Sequence, residues 1–290
     1  FQVVVDMPEG TTLERTNSVV KELSQFLSTT EEVVTYQSYV GTSAPITFNG
    51  LVRHYDLRGG SNMADIQVNL TEKHQRKMQS HEIASLLRPE IQKIAKKFNA
   101  NVKIVEVPPG PPVLSTIVAE VYGPDYKEQI QLADQLQNIL KTTEDVVDVD
   151  WMVEDNQIEY EFVIDKEKAM LYGISPQQIS QTMNMVLSDN AITNLYDEDA
   201  SNQVGLQLTL HEKEKSTVND LSQIKIRSQY GDNIPVGDLV TIEENTRSKN
   251  IFRKNQKRVV YVTADMAGKL ESPVYAILGM SDKLKNISLP

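Results

Sequence analysis

The sequence predicts an α+β fold made from one duplicated strand–helix–strand unit, with a further module inserted into the later copy. Three observations predict it. The run Thr-Thr-Glu-Glu-Val-Val at 29–34 returns as Thr-Thr-Glu-Asp-Val-Val at 142–147, a step of 113 residues. The same step carries Leu23, Phe26 and Leu27 onto Leu136, Ile139 and Leu140, and Gly10 onto Gly123. Apolar periodicity alternates between strand and helix through both copies, and the later copy breaks off near residue 158 and resumes near 250. A repeat of this kind means one supersecondary unit was copied and the copies pack together. A cleft between such copies is a natural ligand site.

The first copy begins with a Val-rich strand over 1–7 and turns at Pro8-Glu9-Gly10. Thr11 or Thr12 can cap the next helix, Glu14 suits its positive end, and Val19, Val20, Leu23, Phe26 and Leu27 form its apolar stripe. A strand follows over 32–40. Residues 41–62 then read as an irregular connection with four glycines and one proline, bearing Phe48, Leu51, Arg53, His54, Tyr55 and Arg58. Long loops inside compact domains are uncommon and are often functional, whereas the plain alternative is a hairpin turn. A strand over 63–71 presents Ala64, Ile66, Val68 and Leu70 on one face. Ser80 can cap a helix running to Phe98, with a kink expected near Arg88 because Pro89 lies inside its pattern. Asn101–Val107 closes a β-α-β-β-α-β order, the split or ferredoxin-like sandwich.

Pro108-Pro-Gly-Pro-Pro112 marks the first boundary. The second copy reads as strand 115–122, helix 125–141 and strand 146–154. The insertion opens with a strand over 158–164 and a short helix ended by Gly173. Ser175-Pro176, with Gln178 beyond, starts another helix. Met183 and Met185 fall on different faces of it, which favours core packing over a soft-metal site. Strands over 202–210 and 224–228 and a turn at 230–235 complete the insertion. Strand 257–265 and helix 272–286 then supply the missing parts of the second copy. The expected domains are therefore 1–113, 114–157 with 250–290, and the insertion 158–249.

Composition excludes several functions. A formal net charge of −11 disfavours nucleic acid, and the cluster Lys93, Lys96 and Lys97 sits where a helix C-terminus favours cations. The absence of cysteine removes disulfides and thiolate chemistry. His54, His74, His81 and His211 lack metal-ligand spacing, so no metal or other cofactor is expected. No nucleophile elbow, phosphate loop or dinucleotide fingerprint occurs, so the chain is not expected to be an enzyme. No run of ~18 apolar residues is present to span a membrane. The chain opens in mid-strand without an initiator methionine, and so reads as a piece excised from a longer protein.

Val3-Val-Val-Asp-Met-Pro-Glu-Gly-Thr-Thr-Leu-Glu-Arg-Thr16 resembles the start of a large periplasmic loop in resistance-nodulation-division efflux transporters. Four later segments agree in order: 108–115, 165–175, 233–238 and 253–260. The opening is closer to the hydrophobe/amphiphile branch than to the heavy-metal branch, and the second, C-terminal loop matches better than the first. The resemblance implies a proton-driven multidrug exporter of a Gram-negative inner membrane, working as a homotrimer with a periplasmic adaptor (membrane fusion) protein and an outer-membrane channel. It implies two porter subdomains, the second interrupted by a docking domain, and membrane helices outside these residues. It also implies a glycine-containing loop between an outer and a deeper pocket, where 41–62 lies here but looks longer and more polar. On this reading, amphiphilic cargo binds between the porter subdomains at Phe48, Leu51, Arg53 and Tyr55 of the connection. Val5, Glu106 and Val107 of the facing strands and Trp151 of the second copy would join them. Alternatives are metal-ion export by the same fold and a regulatory effector-binding module.

Overall fold

The computed structural model describes residues 1–53, 55–106, 113–188, 190–211, 214–268, 272–285 and 287, with the backbone alone at 48, 49 and 56. It divides into two units, Phe1–Gln157 with Ser248–Pro290, and Ile158–Arg247.

The first unit holds two sandwiches. In the first, β1 (Gln2–Asp6), α1 (Leu13–Ser28), β2 (Val33–Thr42), α2 (Phe48–Arg53), a 3₁₀ turn (Tyr55–Leu57), β3 (Gly59–Leu70), α3 (Ser80–Phe98) and β4 (Asn101–Val105) follow in order. The sheet runs β2-β3-β1-β4, antiparallel throughout, the split βαβ arrangement. Alternation sends Val3, Val5, Ala64, Ile66, Val102 and Ile104 towards α1 and α3, where they meet Val19, Leu23, Leu27, Ile83, Leu87 and Ile91 in one core.

The connection at 41–62 is not an irregular loop. β2 extends to Thr42, β3 already begins at Gly59, and α2 with the 3₁₀ turn lies between. Sequence reading missed this because glycines dominate the stretch, yet of those within it only Gly41 and Gly60 take positive φ. Helix α3 is unbroken across Pro89. The apolar stripe is buried on both sides of the proline, so packing holds the helix although the Ser85 carbonyl loses its donor. Its first residue is Ser80, and Glu82 caps the preceding Gln79 N–H at 2.6 Å.

The second sandwich contains β5 (Ile117–Val121), α4 (Tyr126–Lys141) and β6 (Val146–Trp151). The repeat is visible in its hydrogen bonds. Thr29 and Thr142 each donate a hydroxyl hydrogen bond back to the last turn of their helix, to the Phe26 and Ile139 carbonyls at 2.7 and 3.0 Å. The Val33 and Val146 amides likewise donate to the Thr30 and Thr143 carbonyls as the next strand begins. The glycine correspondence is looser: Gly10 has φ +82°, whereas Gly123 lies under the Gln129 side chain without a positive φ.

The second unit comprises β7 (Ile158–Ile164), α5 (Lys166–Leu171), α6 (Pro176–Leu187), β8 (Thr193–Leu195), β9 (Val204–Leu206), α7 (Val218–Ser222), β10 (Lys225–Arg227), β11 (Asn233–Pro235), α8 (Val236–Leu239) and β12 (Val240–Thr246). β7 and β12 pair from end to end. Ala169, Ile174, Ile179, Met183, Ile226, Val236, Leu239 and Val240 form its core. Ser175 caps α6 by accepting the Gln178 N–H at 3.1 Å, with Pro176 at the first helical position. Of the strand expected over 202–210, only Val204–Leu206 forms.

The chain then completes the second sandwich with the short hairpin β13 (Arg253–Lys254) and β14 (Lys257–Arg258), then β15 (Val260–Met266) and α9 (Pro273–Lys285). β15 sits between β5 and β6. Ile117, Val121, Ala133, Leu140, Val260, Val262, Ala264, Ala276 and Met280 make a core separate from that of the first sandwich.

Candidate functional site

The two sandwiches meet along a seam of charge. On β1, β3 and β4 the residues alternating with the core positions include Asp6, Asp65 and Lys103, which therefore lie on the face away from the helices. On β6 and β15, Asp150 and Asp265 do the same in the second sandwich. From buried Asp65 the signs alternate towards the seam. Arg58 Nε lies 3.4 Å from Asp65 Oδ1, and Arg58 Nη1 lies 2.6 Å from Asp6. Lys103 Nζ lies 3.1 Å from Asp6 and pairs across the seam with Asp150. Asn101 donates to the same Asp150 at 3.2 Å.

Two further ion pairs cross. Arg53, at the end of α2, reaches Asp265 of β15 at 2.7 Å. Asp265 also accepts the Ser115 hydroxyl and both the amide and the hydroxyl of Thr116. Arg88 of α3 pairs with Asp148 of β6, whose other oxygen accepts the Ile104 N–H of β4 at 3.3 Å. Asp148 has φ +52° at a register shift of β6 against β15. Aspartate tolerates the left-handed region, and a bulge re-aims a side chain. Here it turns a carboxylate onto the open edge of β4, in place of a strand-to-strand ladder.

Burial and pairing set the titration of these groups. Burial, the largest influence on Lys103, favours its neutral form, but Asp150 and Asp6 outweigh it and hold the ammonium charged well above the ordinary lysine range. Asp6 is pushed up by burial and pulled further down by Lys103 and Arg58, so its carboxyl lies below the usual range. Asp265 is lowered in the same way, with Arg53 and Thr116 overcoming burial. At Asp148 and Asp65 burial prevails, and both carboxyls are raised. Burial also raises the Tyr55 phenol, beside Arg53 and Lys103.

The structure brings Arg53 and Tyr55 together at this seam, with the Tyr55 ring 5.7 Å from the Arg58 guanidinium. It scatters the rest. Leu51 is exposed on α2. Val5 is fully buried in the first core, because strand alternation points it at the helices, so its side chain lines no cleft. Its carbonyl instead accepts from Arg58 at 3.0 Å. Glu106 follows β4 and contacts His81 at 2.8 Å. Trp151 is half-buried against the second core. Val107 and the Pro108–Pro112 linker lie outside the described residues, as does the Phe48 side chain.

Open grooves are found elsewhere: about 430 Å³ between α1 and β2, and about 460 Å³ along α6 in the second unit. Sequence reading missed Asp6, Asp65, Arg88, Lys103, Asp148, Asp150 and Asp265. No local signal marks them: Lys103 in Val-Lys-Ile at 102–104 and Asp148 in Val-Asp-Val at 147–149 read as ordinary strand alternation.

A family model described as AcrB/AcrD/AcrF matches residues 1–290. The Bacillus subtilis swarming motility protein SwrC is 26% identical over 152 residues, covering 52% of this chain and 14% of that protein. The nickel and cobalt resistance protein CnrA of Cupriavidus metallidurans is 22% identical over 160 residues, 54% of this chain and 15% of its own. The chain thus spans about a seventh of the length of these curated relatives. Two crystal forms of a heavy metal efflux pump share the fold, with TM-scores of 0.74 and 0.77 at 14% and 16% identity. They cover 100% and 99% of this chain, and 29% of the pump chain in each case. With the model matched from end to end, the chain belongs to the AcrB/AcrD/AcrF family, within the resistance-nodulation-division transporters.

Proposed function

We infer that this chain is the periplasmic porter and docking portion of a proton-driven efflux pump, and that its cargo is amphiphilic. The family match supports the pump reading. One observation carries the cargo class: the connection around α2 exposes Ile46, Leu51 and Leu57 in the same segment as Arg53 and Tyr55. Apolar side chains with a few fixed polar groups are what an amphiphile requires. A transition-metal cargo requires converging imidazole, thiolate or carboxylate ligands. Among the described residues no three such side chains are gathered to hold an ion. The carboxylates of the seam are already engaged by cations or donors. The inner-membrane helices, adaptor, outer-membrane channel and trimer belong to the same proposal. Proton flow would run through membrane segments, and this chain would bind and pass cargo.

A second reading, metal ions as cargo, is favoured by the names of the nickel and cobalt relative and the heavy metal pump. The test is the full-length gene in a pump-deficient Gram-negative host, scored for growth on amphiphilic drugs and dyes and on nickel, cobalt and cadmium salts. Resistance to amphiphiles alone, reduced by Leu51→Ala at equal expression, is expected. Resistance to the metal salts alone would replace the cargo assignment, and growth unchanged on every compound would remove the pump reading.

A further inference from the structure

We propose that the charged seam is a latch: three partly buried ion pairs that hold the two sandwiches together and must part for the sandwiches to separate. Each of the three takes its cation from the first sandwich and its carboxylate from the second: Arg53 with Asp265, Arg88 with Asp148, and Lys103 with Asp150. Among the described residues none is shared between the two apolar cores. The sheets end separately at β4 and β6, with no ladder joining them among the described residues. What crosses is side-chain chemistry, including the Asp148 carboxylate on the Ile104 amide. An apolar joint resists parting because each half keeps a dry face; a joint of paired charges can be re-solvated partner by partner once water enters.

The arrangement is also directional. With like signs on each side, a one-position slip leaves charges unpaired rather than exchanging them, which is how buried ion pairs specify a single register. Lys103 ties the latch into the first sandwich through Asp6 and Arg58. Asp265 ties it into the second through Ser115 and Thr116. Each arm is thereby anchored in its own sheet and separates from the other as a rigid piece.

The transport reading enters only in naming what the opening serves, so the test reads geometry alone. In the full-length pump, with other cysteines replaced, Lys96→Cys on α3 and Gln135→Cys on α4 place spin labels on exposed positions of the two sandwiches. Labelled protein diluted into unlabelled protein gives the distance within one chain by double electron–electron resonance, without cargo. Unaltered protein should show one narrow distance. Lys103→Glu and Asp150→Lys, each alone, should add a longer, broader population, and the two together, with Asp6→Asn to remove the carboxylate that faces position 103 inside the first sandwich, should restore the narrow one. Folded single variants that keep the narrow distance would overturn the latch. If the single variants do not fold, the paired exchange decides: a folded protein with the narrow distance supports the latch, and failure to fold or a long distance refutes it. An unaltered pump that confers no drug resistance while the distance response is intact would instead count against the cargo reading.

Discussion

Replacing Lys103 by methionine tests how strongly the seam depends on its central cation. The ammonium lies between Asp6 and Asp150 with little solvent access. Removing one partner of a buried pair costs about 3–5 kcal/mol when the other charge is left alone. Here neither carboxylate is abandoned: Arg58 still faces Asp6 at 2.6 Å, and Asp150 keeps Asn101 and some water. The expected loss is therefore about 2–3 kcal/mol. Trp151 is the single tryptophan, sits next to Asp150 and packs on the second core, so its fluorescence reports this sandwich. With a urea slope of about 2 kcal/mol per molar, the midpoint should fall by roughly 1–1.5 M. Adding Asp150→Asn should recover part of the loss, because the unpaired charge goes with it. A midpoint unchanged or raised in Lys103→Met would show that the pair contributes nothing net, and the reasoning would fail.

Other outcomes follow from the same structure. Asp148 has its carboxyl raised by burial, so the folded state binds that proton more tightly. Stability should therefore rise as pH falls from neutrality towards about 4, and Asp148→Asn should flatten that limb of the urea midpoint against pH. Asp6 is held low by Lys103 and Arg58, so its contribution is complete above the ordinary carboxylate value of about 3.9 and is lost as pH falls through its depressed one. Asp6→Asn should make that acid limb shallower, with Asp265 keeping its share. Pro89→Ala should stabilise α3 by about 1–3 kcal/mol by restoring a donor to Ser85, read as a higher melting temperature by circular dichroism; no gain would mean the helix already accommodates the ring. Gly173 has φ +65° after α5, and a methyl there would lie 3.1 Å from the Gln229 side chain. Gly173→Ala should cost about 1–2 kcal/mol in the second unit, measured by thermal melting, and a neutral result would contradict the need for glycine.

The α+β class and the repeated sandwich were legible because each depends on the apolar face of an element. The stripe Val19, Val20, Leu23 and Leu27 reads as a helix and is buried as one. The Thr-Thr-Glu repeat reads as a helix end and builds the same turn twice. Sequence periodicity reports less well on the other face of a sheet. Asp65 alternates with Ala64 and Ile66, a pattern that ordinarily means solvent, yet its side chain is buried under Arg58 and accepts the Ala44 amide at 2.9 Å. Nothing local distinguishes such a strand charge from an exposed one; only the approach of another layer does. The connection at 41–62 failed for a related reason. Glycine content suggested a loop, whereas α2 lies there and delivers Arg53 to Asp265, more than two hundred residues away in sequence. Of the expected cargo residues, Arg53 and Tyr55 share a place because they share that connection. Val5 and Trp151 lie in different cores because each follows the alternation of its own strand.

The separateness of the two cores has a consequence for how such a protein can change. Volume altered in one well-packed interior is felt by its neighbours, but substitutions with no shared contacts combine additively. A lineage can thus refill the interior around Leu23 and Ile91 without disturbing that around Ala133 and Val262. Covariation between the halves should be confined to a few charged positions, so either half could be exchanged with a relative's provided those few signs travel with it.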